Sequence, residues 1–346
     1  MSKVVALLCA PLAALDEALW DIARNETSLE DALREQGLTP EWVEWGSSAE
    51  EMEKAHNAAA VLIRSTWDYS DSRDKKDEFI AWLKQMDNRV LINPLPLLEW
   101  NTDKRYMFEL EAAGVPIVPT KMVEPGDAIP DVMALRAGVG WDNADTIIIK
   151  PVVGASARGL SKHSLVGSDK EEQAAAAKAN IASVVAADGG ALVQPYLPDI
   201  LAGETSVVCV DGVPLVAVLK VPKEGDFRVQ EEWGGTNTIV TLTPKLQKAA
   251  DKVLSAFPGA PESMVTYARL DFVGVKRGPD TSTTDAETET ETETETETET
   301  ETETETETCV DYLLIEAECV EPDLFCNLCP DVAKAVAMAV AAAIAA

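Results

Sequence analysis

The stretch "DYLLIEAE", Asp311 to Glu318, decides how this chain is read. An apolar run suited to a buried strand ends in two carboxylates, Glu316 and Glu318, one residue apart. Strand side chains alternate between faces, so both acids project to the same side. Like charges this close raise each other's pKa and cost stability unless a cation lies between them. Upstream, "YARLDFVGV" (Tyr267 to Val275) is a second strand-like run with Arg269 and Asp271 near its start. In an antiparallel hairpin, the start of that run lies beside the end of the other, and Asp271 joins Glu316 and Glu318. Three acids and an arginine at one hairpin end have the composition of a metal–phosphate site.

The two runs are joined by a Thr-Glu repeat, Glu287 to Thr308, with no apolar residue and eleven like charges. Such a segment buries nothing to offset its ordering entropy, so an acidic disordered insertion is expected over 279–308. It leaves from the hairpin end remote from the acids. Over the whole chain of 346 residues, 29 Lys+Arg face 60 Asp+Glu, a net charge of −31. An acidic body argues against nucleic acid as a partner. It leaves nucleotides open, because these need only a local cationic pocket.

An apolar fraction of 46% supplies real cores, and the length points to two or three domains. Six scattered cysteines fit a reducing, cytoplasmic setting, with Cys326 and Cys329 read as buried or surface thiols. The N-terminal "SKVVALLCAPLAAL" has the length of a short signal peptide but reads better as the first strand of an α/β domain. The alanine-rich C-terminus is too short to span a bilayer and reads as a packed helix, so no membrane role is expected.

Strands and helices alternate up to about residue 95: "KVVALLCA", "LDEALWDIARN", "PEWVEW", "AEEMEKAHN" and "AAVLIRS". This pattern predicts a small parallel sheet. Then "NTDKRYMFELEAAG" predicts a helix, "VPIVPT" an edge-like strand and "DTIIIKP" a buried one. The helix "SDKEEQAAAAKANIASVVAA" opens on a capping box, Ser168 and Glu171. "GETSVVCV" and "VPLVAVLKVP" flank Asp211-Gly212, a hairpin signal. Two lysines stand out: Lys104 near a helix start, and Lys150 ending a strand before the loop "VVGASARG". Such a loop can aim N–H groups at phosphate oxygens, and a lysine adds a point charge.

Taken in order, these motifs resemble the ATP-grasp family over about residues 95–330. The likeness implies an α/β fold in which an N-terminal parallel-sheet domain (1–95) binds substrate. Two α+β subdomains (96–190 and 191–346) would then clasp ATP. Lys104 and Lys150 would reach its phosphates, under a mobile loop with Gly154, Ser156 and Gly159. "LVQPYLPDILAGETSVV" resembles the adenine-holding hinge, with Gln194, Pro195, Tyr196 and Leu197, and with Glu204 reaching the ribose. Asp271, Glu316 and Glu318 match the magnesium ligands, although many relatives carry asparagine where Glu318 stands.

"RSTWDY", "WNTDKRYM" and "GDFRVQEEWGG" resemble more narrowly the branch containing the D-cycloserine-forming cyclo-ligase of O-ureido-D-serine, related to bacterial glutathione synthetase. That likeness implies an ATP- and magnesium-dependent carboxylate–amine ligase acting on a small amino-acid-like substrate. Arg228 and Arg269 would steady the acyl phosphate. Arg64, Thr66, Trp67, Asp68 and Tyr69 follow a strand, where open parallel sheets place ligands, and become the substrate-binding candidates. The competing classes are a silent nucleotide-binding or regulatory protein of the same fold, and a partner-binding protein using the acidic repeat. A homo-oligomer is compatible with either.

Overall fold

The computed structural model describes residues 3–15, 24–86, 91–138, 140–141, 144–155, 157–259, 265–276 and 310–346. The expected insertion 279–308 and most of the expected helix "LDEALWDIARN" lie outside the described residues.

Four parallel strands, β1 (Lys3–Cys9), β2 (Leu38–Glu44), β3 (Ala60–Ser65) and β4 (Leu91–Ile92), form the first sheet in the order β2-β1-β3-β4. β1 and β3 are central and buried, which is why both read as continuous apolar runs. The helices Ala49–Asn57 and Arg73–Leu83 start on serine caps, Ser48 and Ser72, each accepting a backbone N–H three residues on. The chain leaves this sheet through Asn93, at φ 65°. Its amide donates to the carbonyls of Tyr267 and Cys319, both at 2.8 Å, and its oxygen accepts Thr266 N–H at 2.9 Å.

The second sheet is antiparallel: β5 (Lys121–Val123), β6 (Thr146–Pro151), β7 (Ser161–Ser164) and β8 (Ala191–Pro195), in the order β5-β8-β6-β7. β8 lies beyond residue 190, so strand pairing carries this layer past the expected boundary. Helix Lys170–Asp188 covers it through Ala174, Ala177, Ile181 and Val184. The capping box does not form: Asp169 is the N-cap, without a side-chain bond, and the helix ends on left-handed Gly189.

The third sheet, also antiparallel, takes β9 (Glu204–Val210), β10 (Val213–Val221), β11 (Thr236–Val240), β12 (Tyr267–Lys276) and β13 (Val310–Glu318) in the order β11-β10-β9-β12-β13. Asp211 and Gly212 make the predicted turn, both at positive φ as a primed turn requires. The C-terminal helix Pro330–Ala345 packs Val332, Val336 and Val340 into one core shared by Val5 and Leu7 of the first sheet and Val208 and Val218 of the third. Two expected elements differ. "VPIVPT" forms one parallel bridge, Ile117 to Leu314, because Pro116 and Pro119 have no N–H with which to extend a ladder. The helix expected over "NTDKRYMFELEAAG" begins only at Tyr106 and runs to Ala112; Asn101 ends a separate helix, Leu95–Asn101, which leaves Lys104 in the turn between the two.

Candidate active site

The hairpin predicted from "YARLDFVGV" and "DYLLIEAE" is present, with Arg269 opposite Glu318 and Asp271 opposite Glu316. The register shifts between Asp271 and Phe272, whose partners are Glu316 and Leu314, so Ile315 is an extra residue on β13. A bulge of this kind bends its strand and re-aims the side chains beside it.

Each acid on this hairpin faces a cation. Glu316 Oε1 lies 2.8 Å from Lys104 Nζ. Glu318 Oε1 accepts from Arg269 Nη2 at 2.5 Å. Asp271 is held by Arg269 at 3.0 Å, by the hydroxyl of Ser206 at 2.6 Å and by Lys220 at 3.3 Å. Burial opposes ionisation of Asp271, but the charges of Arg269 and Lys220 outweigh it and hold the carboxyl well below its usual range. Glu318 behaves oppositely. Burial, with the charges of Glu316, Asp271 and Glu321, outweighs Arg269 and pushes its carboxyl up to about 8.

Among the described residues, no three acids converge into a metal cluster. Asp271, the third acid expected at a magnesium ion, is turned toward Ser206, Lys220 and Arg269. The donor chemistry still fits magnesium at Glu316 and Glu318, two oxygen donors on one face in a field that disfavours one of the charges.

Lys104 also donates to the carbonyl of Gly154 at 2.5 Å, tying the glycine loop to β13. Lys150, at the end of β6, is buried, and among the described residues no carboxylate pairs with its ammonium at ion-pair distance. Burial lowers its pKa first, Lys104 lowers it further, and Glu316 opposes both. In the loop, a Cβ on Gly154 would meet Pro151 at 3.1 Å, and one on Gly159, at φ 70°, would meet it at 3.2 Å. Ser156 lies outside the described residues.

Gln194 donates to the Thr120 hydroxyl at 2.8 Å and Pro195 pairs with Ile147, while Leu197 follows as the chain leaves β8. The Lys162 ammonium sits 3.6 Å from the centroid of the Tyr196 ring. Glu204 is paired with Lys220, so its carboxylate is turned into the sheet. Lys220 was not read from sequence, although a lysine inside "VAVLKV" is the same signal that marked Lys150. Arg228 pairs with Asp226 at 2.7 Å and stacks 3.5 Å from the Trp233 centroid. Its partners are thus distinct from those of Arg269, which are Asp271 and Glu318.

The "RSTWDY" loop divides. Arg64 is only 2% exposed, pairs with Glu26 at 2.6 Å and donates to the Pro322 carbonyl at 3.0 Å. Its guanidinium is spent on structure, which corrects the substrate-binding expectation. Trp67 is half-buried, and Thr66 and Asp68 are buried. Asp68 accepts from the Trp45 indole at 2.7 Å, whereas its other oxygen and the Thr66 hydroxyl have no partner among the described residues. Tyr69 stacks on Phe79 at 4.9 Å and hydrogen-bonds to Glu321, another residue the sequence reading passed over.

Residues 4–93 match the family of the N-terminal domain of D-cycloserine synthetase DcsG, and residues 135–274 match the ATP-grasp domain of prokaryotic glutathione synthetase. The chain has the ATP-grasp fold. This ATP-grasp chain is 29% identical over 196 residues to the cycloserine biosynthesis protein DcsG of Streptomyces lavendulae, covering 55% of this chain and 60% of that protein. The match thus spans less than two thirds of that relative. Among solved structures, D-cycloserine synthetase DcsG aligns with TM-score 0.72 and 23% identity over 99% of this chain and 100% of the other. The ATP-grasp ligase PsnB, complexed with minimal precursor, Mg and ADP, aligns with TM-score 0.56 and 15% identity over 99% and 98%. At these identities the structural likeness establishes the fold.

Proposed function

We propose that this ATP-grasp protein is an ATP- and magnesium-dependent carboxylate–amine ligase. A substrate carboxylate attacks the γ-phosphate to give an acyl phosphate, and a nitrogen nucleophile then displaces phosphate. The observation that carries the reading is Lys104, bonded to the Gly154 carbonyl and to Glu316, with buried Lys150 beside it. That joins two point charges, a glycine loop and an acid strand in one place. The first step gathers negative charge, and preorganised cations stabilise such a transition state most.

In this reading Lys104 and Lys150 take phosphate oxygens, and the loop around Gly154 and Gly159 covers them. Glu316 and Glu318 hold magnesium, which supplies charge neutralisation at the phosphates when bound. Arg269, fixed by Asp271 and Glu318, faces the same end of the hairpin. The segment Gln194 to Leu197 receives the base. The substrate is amino-acid-like, with cyclisation of O-ureido-serine the first candidate, and it enters between the first sheet and the hairpin end. The working division is a substrate domain up to about residue 95 followed by two ATP-clasping subdomains, in a cytoplasmic protein. Among the described residues, no helix is long and apolar enough to cross a membrane.

The test is ADP release with product mass over D- and L-amino acids, O-ureido-D-serine and short peptides. Substrate-dependent ADP release with loss of water from the joined product is expected. Nucleotide binding with no turnover on any of these would reject the ligase reading.

A further inference from the structure

Arg105 directly follows Lys104 in the turn before helix Tyr106–Ala112. Its guanidinium forks onto Glu124, with Nε donating to Oε1 at 2.8 Å and Nη2 to Oε2 at 2.7 Å. Nη2 also donates to the Gly189 carbonyl at 2.6 Å, and Nη1 to Asp103 at 2.6 Å. Glu124 follows β5, and Gly189 ends helix Lys170–Asp188, so two of the three partners belong to the layer of the second sheet. The last carbonyls of a helix have no partner inside it, and a cation suits that negative end.

Asp103, on the other side of Lys104, closes the turn. One of its oxygens accepts the Arg105 guanidinium, and the other accepts the Arg105 backbone N–H at 3.1 Å. The residues before and after Lys104 are thus tied together across it, and the Lys104 N–H donates to the Val152 carbonyl at 2.8 Å. From this fixed backbone its ammonium reaches the Gly154 carbonyl and Glu316. The seat of the guanidinium is tight. A Cβ on Gly190 would stand 2.7 Å from Arg105 Nη2 and 3.0 Å from Val152 Cγ1.

The side chains of Arg105 and Glu124 are 36% and 41% exposed. An ion pair so open to water contributes little to global stability. A planar fork on a carboxylate does fix direction, as a point charge does not. From this geometry we infer that Arg105 is the positioning residue of Lys104. By locking the turn to the second-sheet layer, it sets the lysine's ammonium at the nucleotide phosphates. A group displaced by about 1 Å loses much of its effect at a reacting centre. The inference rests on the nucleotide part of the ligase reading and gives Arg105 a role in it.

The test is calorimetric titration of a non-hydrolysable ATP analogue with magnesium onto the full chain, as a double-mutant cycle. Arg105→Ala should weaken binding at least fivefold. In the Lys104→Met background the same change should shift affinity less than twofold, because the group that Arg105 positions is gone. Arg105→Lys, which keeps the charge without the fork, should recover part of the loss. Gly190→Ala, which displaces the guanidinium without removing it, should weaken binding in the same direction. The inference is overturned if Arg105→Ala binds within twofold of wild type. It is equally overturned if the loss is as large in the Lys104→Met background, as a general structural role requires. Should Arg105→Ala fail to fold, Glu124→Gln runs the same cycle from the exposed partner. Failure of the two claims is separable. Coupled losses without ADP release on any substrate remove the ligase reading alone, and ADP release with additive losses removes this one alone.

Discussion

Lys104 and Glu316 are joined at 2.8 Å, across the turn between two short helices and the end of β13. The same ammonium reaches the Gly154 carbonyl, so one lysine ties together the glycine loop and the acid strand. Lys104→Met should weaken nucleotide binding at least tenfold. It should also cost about 2 kcal/mol of stability, because Glu316 loses a charged hydrogen bond. Adding Glu316→Gln should return part of that cost, since the stranded carboxylate is then gone. Calorimetry and denaturant unfolding of the two single variants and the double read both effects. Wild-type nucleotide affinity in Lys104→Met would remove the lysine from the phosphate site.

Arg64 is expected to matter for stability rather than for substrate. Its guanidinium is 1% exposed and is shared between Glu26 and the Pro322 carbonyl. Breaking a buried pair by removing one partner costs about 3 kcal/mol or more. Arg64→Ala should therefore lower the unfolding midpoint sharply. A stable Arg64→Ala with a selectively raised KM for the amino substrate would return this residue to the substrate site.

Asp68 makes a pH prediction. Burial raises its carboxyl from 3.8 to about 6, against the Trp45 hydrogen bond and Lys75, which lower it. A folded-state pKa above the unfolded one means that the fold favours the protonated acid. Its stabilising contribution is therefore full below about pH 4 and is lost as the pH rises through about 6. The difference in midpoint between wild type and Asp68→Asn should grow in the variant's favour from pH 4 to 7. A pH-independent difference would show that the carboxyl titrates normally.

The acidic insertion should be dispensable for catalysis. Lys276 and Val310 are paired at the end of the hairpin remote from Glu316 and Glu318. Lys276 lies five residue steps along the strand from Asp271, about 17 Å at the usual rise. Joining Arg277 to Cys309 by a short Gly-Asn turn should leave magnesium-dependent turnover within twofold, because loop entropy grows only logarithmically with length. A tenfold loss in a folded deletion would place the insertion at the active site.

Much of this was legible in the sequence because it depends on local pattern. Alternation and apolar runs located β1, β3, β6, β9, β10, β12 and β13, and Asp211-Gly212 located a turn, since strand faces and positive φ are properties of a few adjacent residues. Lys150, Glu316 and Glu318 could be singled out for the same reason, since charge beside an apolar run is costly unless it is used, and Lys104 by its place near an expected helix start. Partner choice was decided only by the tertiary structure. Asp271 turns to Lys220, Arg64 to Glu26, Arg228 to Asp226 and Tyr69 to Glu321, and in all but the third the partners lie tens to hundreds of residues apart. The bulge at Ile315 belongs to the same class, because register is a property of two strands together. A buried charge takes whichever opposite charge the packed layers bring within about 4 Å, and no spacing along the chain encodes that distance.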